Sequence, residues 1–384
     1  MKQRFKSLLN RVCPQAVTAG WWVKRRLPIY LLGVPRLAVD SVRPESFSQW
    51  SQFRRQARET RQLREERLKR LNSDGRQKVL IIKINHSNAG FFAYLTFVFN
   101  QLIYCEKHNF LPVVYFGRRA GNGLNAYYDP RYGPNMWDYF FEPVAGVSYD
   151  DVLFLVNRTD SVLKKADLLE LSYDELKYLH MQEPDSVFAF PYGVYYSRTR
   201  NDVEWYQSQR AKAHALVNKY IRLKKHIQDE IDAFFEKHMK GAFVVGAHVR
   251  GTDKSTPRYA DAGRNPNSMR IIEPNSYFEQ IEPFVKQHRD CRIFVATDQE
   301  QYLQSFRSRY GERVIAWDSL RSRTKTNVFQ QYDFNGYRKG KDVLIESQLL
   351  ARTQFFLKCA SAVGEAVLWF NPELEHVDMN HAAG

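Results

Sequence analysis

The second half of the chain alternates short apolar runs with helix-forming segments, and this alternation constrains the fold more than any other feature. Each apolar run has the length of a strand, and each is followed by a segment with helical periodicity. The sequence therefore predicts an α/β fold with a parallel sheet. The predicted strands are AFVVGAHV at 242–249, CRIFVATD at 291–298, RVIAWD at 313–318 and QFFLKCAS at 354–361, and the predicted helices cover 273–288, 299–311, 342–353 and 362–370.

The predicted strands end in polar residues. The first one runs into HVRGTDK, which places His248, Arg250, Asp253 and Lys254 within seven positions. Because the carboxyl ends of parallel strands meet at one edge of a sheet, and ligands of open α/β sheets bind outside that edge, these side chains are candidates for ligand binding.

The first half of the chain contains one β-α-β pattern. A strand at 79–84, a loop at 85–90, a helix at 91–107 and a strand at 112–116 make up this unit. The chain has no G-x-G-x-x-G or Walker sequence, so neither a dinucleotide site nor a P-loop is indicated. An aromatic segment at 125–143 either stacks against a sugar or nucleotide or packs an irregular loop.

The length of 384 residues favours two domains. We predict a basic N-terminal arm and helix at 1–77, an α/β domain at 78–240 and a second α/β domain at 241–384. The arm is expected to end in a helix at 46–71, and a single charged helix is expected at 202–240.

The positive charge of the chain is concentrated in residues 1–77, which hold 18 of the 57 Lys and Arg but only 6 of the 42 Asp and Glu. The nearly neutral remainder needs no polyanionic partner, so nucleic-acid binding is not expected. The apolar run at 16–39 is interrupted by Lys24, Arg25, Arg26 and Arg36 and cannot cross a bilayer as one helix.

Two interpretations of the arm stay open. Residues 1–45 either adsorb to an anionic membrane surface or pack against the protein itself or another subunit of a homo-oligomer. The four cysteines are far apart in the sequence, which favours reduced thiols in a cytoplasmic protein, at most peripheral at the inner face of a membrane.

Three segments of the second half resemble the motifs of the α1,6-fucosyltransferase and protein O-fucosyltransferase superfamily. They are HVRGTDK, FVATD and KDVLIESQLLARTQFFLKCAS, in the family's order and spacing. The resemblance is closest to the branch of the Nod-factor and N-glycan core enzymes, and it covers residues 244–370. NHSNAGFFAYL in the first half stands where the family has a Gly-rich loop.

This resemblance implies a GT-B glycosyltransferase, in which two Rossmann-like domains face a cleft. It implies inverting transfer of fucose from GDP-fucose to a hydroxyl of a glycan or glycolipid acceptor, with no cofactor. Because no Asp-x-Asp pair suits a diphosphate-bound cation, no metal is expected.

The resemblance also implies roles for individual residues. Arg250 would bind the phosphates, where a fixed guanidinium matches the charge of the leaving diphosphate. His248 and Asp342 would bind guanine, Asp298 would lie near the nucleotide, and Ser361 would contact phosphate. Asn88, Gly90 and Tyr277 complete the predicted contacts with the GDP-sugar.

The chain departs from the family pattern at several places. Gly251 replaces a second arginine, TDQ replaces TDD, and Ser361 stands where a pair of serines is usual. No glutamate is in register for the general base, a role left open between Asp253, Asp261 and Glu273. Arg250, Asp253, Lys254 and Glu273 are the catalytic candidates.

These departures leave alternatives open. The chain could instead use another nucleotide sugar, or bind glycan or nucleotide without catalysis. A helix N-cap is the structural alternative for Asp298.

Overall fold

A computed structural model describes most of the chain after residue 77. The described residues are 65, 66, 69, 78–84, 90–121, 123–159, 161–172, 175–176, 203–251, 272–324 and 335–379. Residues 1–64 of the N-terminal arm therefore lie outside the described residues, as do Asn88, Asp253, Lys254 and Asp261. Of the helix predicted at 46–71, only residues 65, 66 and 69 are described, and they are helical.

The first half forms a small parallel sheet, and the predicted β-α-β unit is confirmed. Strand β1 (Val79–Ile82) is followed by helix α1 (Phe91–His108) and strand β2 (Leu111–Val114), which pairs with β1 in parallel. Strand β5 (Leu168–Leu169) pairs with the other edge of β1, so the strand order is β2-β1-β5. The part of the sequence between β2 and β5 forms a hairpin and two short helices. The hairpin consists of β3 (Arg119–Ala120) and β4 (Gly123–Leu124), and the helices are α2 (Trp137–Phe140) and α3 (Tyr149–Val156).

The charged stretch at 202–240 forms two helices, so the prediction of a single helix was wrong. Helix α4 covers Val203–Tyr220 and helix α5 covers Lys225–His238. The residues between them pair with the chain at 140–142. The backbone N–H of Lys224 donates to the Phe140 carbonyl, and the N–H of Glu142 donates to the Arg222 carbonyl, both at 2.8 Å. These tertiary bonds replace the helical ones, and no local sequence signal indicates them.

The second half forms a five-stranded parallel sheet with helices on both faces, which confirms the predicted α/β class. The strand order is β10-β9-β6-β7-β8. The strands are β6 (Val244–Val249), β7 (Arg292–Thr297), β8 (Val314–Ile315), β9 (Phe355–Lys358) and β10 (His376–Asp378), and the helices are α6 (Pro274–Gln287), α7 (Glu300–Tyr310), α8 (Gly336–Leu350) and α9 (Ala362–Phe370).

Each face of this sheet packs on its own group of helices. On one face, alternate residues of β6 and β7 pack with α6 and α7 around Tyr277, Ile281 and Phe306. On the other face, the core includes residues of α8 and α9 and continues to α1, where the rings of Phe99 and Trp369 lie 5.5 Å apart. Both sheets belong to one compact unit, which comprises residues 76–152 and 164–384. The predicted domain boundary at 240/241 stays a prediction.

Helix α8 begins six residues earlier than expected, at Gly336. Glycine is unfavourable inside a helix, but close packing requires Gly336 and Gly340 in this first part of α8. A Cβ at Gly336 would lie 2.5 Å from the Tyr128 carbonyl oxygen, and one at Gly340 would lie 2.6 Å from the Phe140 ring. Tyr132 stacks on Tyr337 with ring centroids 3.7 Å apart. Six rings of the aromatic segment thus pack against other rings of the protein: Tyr127, Tyr132, Trp137, Tyr139, Phe140 and Phe141.

Strands β8 and β10 also differ from the prediction. Strand β8 ends at Ile315 because the chain then turns, with the Ser319 N–H donating to the Trp317 carbonyl at 2.8 Å. Strand β10 was not predicted, since its three residues, His376–Asp378, are half-buried and two are polar.

None of the helices in the described ranges combines the length and the apolar character that a bilayer crossing needs.

Candidate functional site

The order of the strands locates the candidate site. From β6 the chain proceeds through β7 to β8 on one side, then returns to β9 and β10 on the other. The direction of winding therefore reverses between β6 and β9, and open α/β sheets bind ligands outside the carboxyl ends of the strands at such a point. Arg250 follows β6 here, and Ser361 follows β9.

Arg250 is held by Asp298 from the neighbouring strand. The Arg250 Nη1 lies 3.1 Å from the Asp298 Oδ2, and the Gly251 N–H donates to the Asp298 Oδ1 at 3.1 Å. The two side chains of the pair are only 18% and 14% exposed. Gln299 is the N-cap residue of α7, so Asp298 does not take the alternative role of helix cap. The result is a guanidinium fixed at the carboxyl edge of the sheet.

His248 lies in a buried polar cluster next to this pair. Its Nδ1 lies 3.2 Å from the Ser361 Oγ and 3.4 Å from the Cys359 Sγ. Burial lowers the pKa of His248 to about 3, and the charges of Arg250 and Lys358 add to this effect. The imidazole is therefore neutral at physiological pH.

Tyr277 and Ser361 have partners within the protein. The fully buried Tyr277 donates its hydroxyl to the His248 carbonyl at 2.9 Å. Ser361 is the N-cap of α9, and its Oγ accepts from the Gly364 N–H at 3.0 Å. Their predicted contacts with the GDP-sugar stay predictions.

Asp342 holds the segment after β8. Its Oδ1 accepts from the Trp317 Nε1 at 3.2 Å, and its Oδ2 accepts from the Leu320 N–H at 3.0 Å. The Arg338 Nε lies 3.0 Å from both oxygens. Burial raises the pKa of Asp342 despite these partners. Both oxygens are thus occupied, and the prediction that Asp342 binds guanine stays a prediction.

Glu346, one turn further along α8, is a buried carboxyl that the sequence did not indicate. Its Oε1 accepts from the Ser319 hydroxyl and lies 3.4 Å from the Arg321 Nη2. Burial raises the pKa of Glu346 to about 8, and Asp298 is among the charges acting on it. No hydrogen bond to its Oε2 is formed by the residues that the structure describes.

The position of Glu346 in the fold brings it to the level of His248. Helix α8 precedes β9 and runs antiparallel to β6, and a Cβ at Gly246 would lie 3.0 Å from the Leu350 Cδ2. Four helical residues, about 6 Å, separate Leu350 from Glu346, and two strand residues, about 6.6 Å, separate Gly246 from His248. The two side chains are therefore at similar heights on the same face of the sheet.

Arg321 is a second cation at this edge. Its Nη2 donates to the Trp317 carbonyl at 2.7 Å, and its buried Nε has no acceptor among the described residues. The next residue, Ser322, donates its N–H to the Asp298 carbonyl at 2.8 Å, which places Arg321 beside the Arg250–Asp298 pair.

The remaining predicted residues lie at the margin of this group or away from it. Glu273, at the start of α6, is exposed, and its Oε1 lies 3.4 Å from the Tyr302 hydroxyl. Gly90 is the N-cap of α1, which follows the first strand of the smaller sheet.

The space beside Gly251 is filled by two side chains of α7 and its cap. A Cβ added at Gly251 would lie 2.5 Å from the Gln299 Oε1 and 2.6 Å from the Tyr302 Cε2. Gln299 and Tyr302 thus occupy the place where a side chain at position 251 would begin.

A buried ion network lies behind Ser361. The Lys358 Nζ lies 3.0 Å from the Glu365 Oε1 and also contacts Asp378, while Arg210 binds both Glu365 oxygens at 2.9 Å. Burial alone would raise the pKa of Glu365, but the charges of Lys358 and Arg210 outweigh it and hold the pKa below its ordinary value. The network ties β9, β10 and α4 to the first turn of α9. Within the described ranges, no three His, Cys, Asp or Glu side chains cluster as metal ligands would.

No protein-family model matches the chain, and no curated protein matches it. Among solved structures, the fucosyltransferase NodZ from Bradyrhizobium is 18% identical over 79% of this chain and 94% of its own, with a TM-score of 0.46. POFUT1 in its apo form is 10% identical over 78% of this chain and 97% of its own, with a TM-score of 0.43. A mutant of Arabidopsis thaliana FUT1 in complex with GDP is 14% identical over 80% of this chain and 73% of its own, with a TM-score of 0.40.

These solved structures are fucosyltransferases, the superfamily whose motifs three segments of this chain resemble.

Proposed function

We propose that this chain is a glycosyltransferase that transfers fucose from GDP-fucose to a hydroxyl of a glycan or glycolipid. One observation carries the proposal: His248, Arg250, Asp298 and Ser361 belong to three motif segments far apart in the sequence, and they lie together where the winding of the five-stranded sheet reverses. The parallel sheet brings the ends of these strands together, and the contacts of Arg250 with Asp298 and of His248 with Ser361 join their side chains into one polar group.

In this proposal, Arg250 stabilises the leaving diphosphate. Cleavage of the sugar–phosphate bond increases negative charge on the β-phosphate, and a donor already fixed in place stabilises that charge without reorganisation. The ion pair with Asp298 fixes the guanidinium, and the N-terminus of α9 adds backbone N–H groups that favour an anion. With these groups supplying positive charge, we propose a metal-independent, inverting transfer in the cleft of a GT-B fold.

The guanine base would be bound by His248 together with a carboxylate of α8. Asp342 was the predicted carboxylate, but the contacts of the described residues favour Glu346, whose Oε2 accepts no hydrogen bond from them. An ionised carboxylate accepts from the N1–H and the amino group of guanine, a pair of donors that neither uracil nor adenine presents. Buried groups left unpaired by the wrong base cost about 1–3 kcal/mol each.

The acceptor hydroxyl requires a base only if its proton leaves early in the reaction. Glu273 is the candidate within the described residues, where Tyr302 contacts it. Asp253 and Asp261 stay candidates for the base outside them, and Lys254 stays a catalytic candidate there.

Calorimetry with GDP, UDP and ADP tests the donor site. We expect GDP to bind at least tenfold more tightly than UDP or ADP, which corresponds to about 1.4 kcal/mol. Equal affinity for all three would contradict guanine recognition. Transfer from GDP-fucose to a panel of glycans, with the product's anomeric configuration determined by NMR, then tests catalysis and inversion.

The residues around Gly251 favour one alternative, a transferase of the same fold that uses another nucleotide sugar. Gln299 and Tyr302 fill the space beside Gly251, so the contacts available to the donor differ from those that the family motif implies. Screening GDP-fucose against other GDP-sugars separates the two. Tight GDP binding without transfer from any of them would instead support a non-catalytic binding protein.

A further inference from the structure

The hydrogen-bond partners of the His248 ring determine which of its two nitrogens carries the proton. A neutral imidazole has one N–H, on either Nδ1 or Nε2, and the two tautomers present opposite groups to a ligand. The pKa of about 3 keeps His248 neutral, so only these two forms compete. The neighbours of Nδ1 are Ser361 and Cys359.

The Ser361 hydroxyl is already an acceptor. Its Oγ accepts from the Gly364 N–H at 3.0 Å, which leaves its own proton to be donated. Among the described residues, the His248 Nδ1 at 3.2 Å is the acceptor within reach of that proton. If Nδ1 were protonated, the Ser361 proton would have no acceptor there. A buried hydroxyl proton without an acceptor is costly, by about 1–3 kcal/mol.

Cys359 favours the same arrangement. Burial raises the pKa of its thiol to about 11, so the side chain keeps its S–H at physiological pH. The Sγ lies 3.4 Å from the same Nδ1 and adds a second, weaker donor.

We propose that Ser361 is a positioning residue that fixes the tautomer of His248. Its hydroxyl donates to Nδ1, the imidazole proton lies on Nε2, and Nε2–H is the donor that the ring offers to a hydrogen-bond acceptor of the nucleotide. The identity of that ligand rests on the proposed function, whereas the tautomer does not.

Strand β6 and Tyr277 also help to fix the position of the His248 Nε2–H. Strand β6 is bonded on both sides, to β7 and β9, and Tyr277 binds the His248 carbonyl from the opposite face of the sheet. Backbone and ring are therefore held before a ligand arrives, and the proton position is the remaining variable. Fixing it in advance removes an ordering cost from binding.

Nitrogen NMR on the full-length protein with ¹⁵N-labelled histidine measures the tautomer directly, and His248→Gln identifies the His248 signals. We expect a protonated Nε2 and an unprotonated Nδ1 in the wild-type protein. A protonated Nδ1 would overturn the proposal, whatever the variants do.

Two variants then separate positioning from helix capping. Ser361→Thr keeps both the cap and the hydroxyl and should keep the tautomer, whereas Ser361→Ala should give a mixture of tautomers. GDP affinity should fall about fivefold to tenfold in Ser361→Ala and stay within twofold in Ser361→Thr. An unchanged tautomer in a folded Ser361→Ala would mean that Ser361 only caps α9, and the proposal would fail.

Separate additions of guanosine and inorganic pyrophosphate identify the group of the nucleotide that accepts from Nε2–H. A shift of the Nε2–H signal with guanosine assigns the contact to the base, and a shift with inorganic pyrophosphate assigns it to the diphosphate. A folded protein that shows the expected tautomer but binds no GDP would overturn the proposed function and leave the role of Ser361 standing. No shift with GDP despite binding would overturn the contact proposed for Nε2–H.

Discussion

At the scale of single residues, the site depends on a few side chains whose positions are fixed by partners from other strands. Arg250 is the clearest example of a side chain fixed in this way, because Asp298 holds its guanidinium before any ligand binds. Arg250→Ala should lower turnover with GDP-fucose by about 10²–10³-fold, as expected for loss of one preorganised charge-stabilising donor. Steady-state kinetics at saturating donor measure this effect.

Arg309→Ala is the matched control for Arg250. Arg309 also binds a carboxylate, that of Glu282, but its side chain is 55% exposed and it lies on α7 away from the strand ends. Exposed ion pairs contribute little, so turnover should not change. Turnover of Arg250→Ala within about threefold of the wild-type value would contradict the phosphate role.

The raised pKa of Glu346 predicts that the affinity for the donor depends on pH. Its pKa of about 8 means that the carboxyl is mostly protonated at pH 6, whereas the N–H donors of guanine favour the ionised form. Binding below pH 8 therefore releases a proton, and affinity should rise by up to about tenfold per pH unit from pH 6 and level off above pH 8. Calorimetry with GDP-fucose suits this test, because its esterified diphosphate does not titrate in this range.

Glu346→Gln removes the titrating group. The variant should bind GDP-fucose more weakly at pH 8, and its affinity should no longer rise between pH 6 and pH 8. An equal pH slope in the wild-type protein and the variant would assign the titration to another group.

At the scale of elements, the first turn of α9 is anchored by buried charges. Glu365 and Lys358 are each 2% exposed, and Arg210 reaches Glu365 from α4. Glu365→Gln leaves both cations without their shared partner, and breaking a buried pair in this way costs about 3–5 kcal/mol. Urea unfolding followed by tryptophan fluorescence should show this loss at pH 7, with Glu282→Gln on the surface as the control.

The sign of the pH effect follows from the lowered pKa of Glu365. An unfolded glutamate titrates near 4.3, so this ion pair stabilises the folded state fully above that pH and is lost as pH falls through the lower folded pKa. The difference between wild type and Glu365→Gln should therefore shrink as pH falls from 7 to 3. A variant as stable as the wild-type protein at pH 7 would show that the network contributes nothing to stability.

The sequence predicted the elements whose signals are local. Strands β6, β7 and β9 are apolar runs of strand length, and α6 and α7 carry their own start and stop signals, such as Pro274 and Gly311. The break between α4 and α5 and the early start of α8 could not be predicted, since both depend on packing against residues about 80 and 200 positions away.

The same distinction applies to the site. His248, Arg250, Asp298 and Ser361 could be predicted as candidates because they end strands or begin the following helix. Glu346 lies within a helix, and only the position of α8 on the sheet brings it to the level of His248.

At the scale of the whole molecule, the charge of the chain separates it into two parts. Residues 78–384 carry 39 Lys and Arg against 36 Asp and Glu, so the part that contains both sheets is nearly neutral. The proposed donor site would need positive charge only locally, as at Arg250. We therefore expect the excess positive charge of residues 1–77 to act at a different surface.

Adsorption to an anionic membrane is one of the two interpretations of the arm, and it can be tested. Trp21 and Trp22 beside Lys24, Arg25 and Arg26 combine apolar burial with attraction to anionic lipid, and salt screens that attraction over a Debye length of about 8 Å at physiological ionic strength. Co-sedimentation with liposomes should require anionic lipid, weaken with salt and disappear when residues 1–45 are deleted, while the truncated protein still binds GDP. Sedimentation that survives the deletion would place membrane binding elsewhere. No sedimentation of the full chain, with loss of soluble protein on truncation, would favour an arm that packs against its own protein.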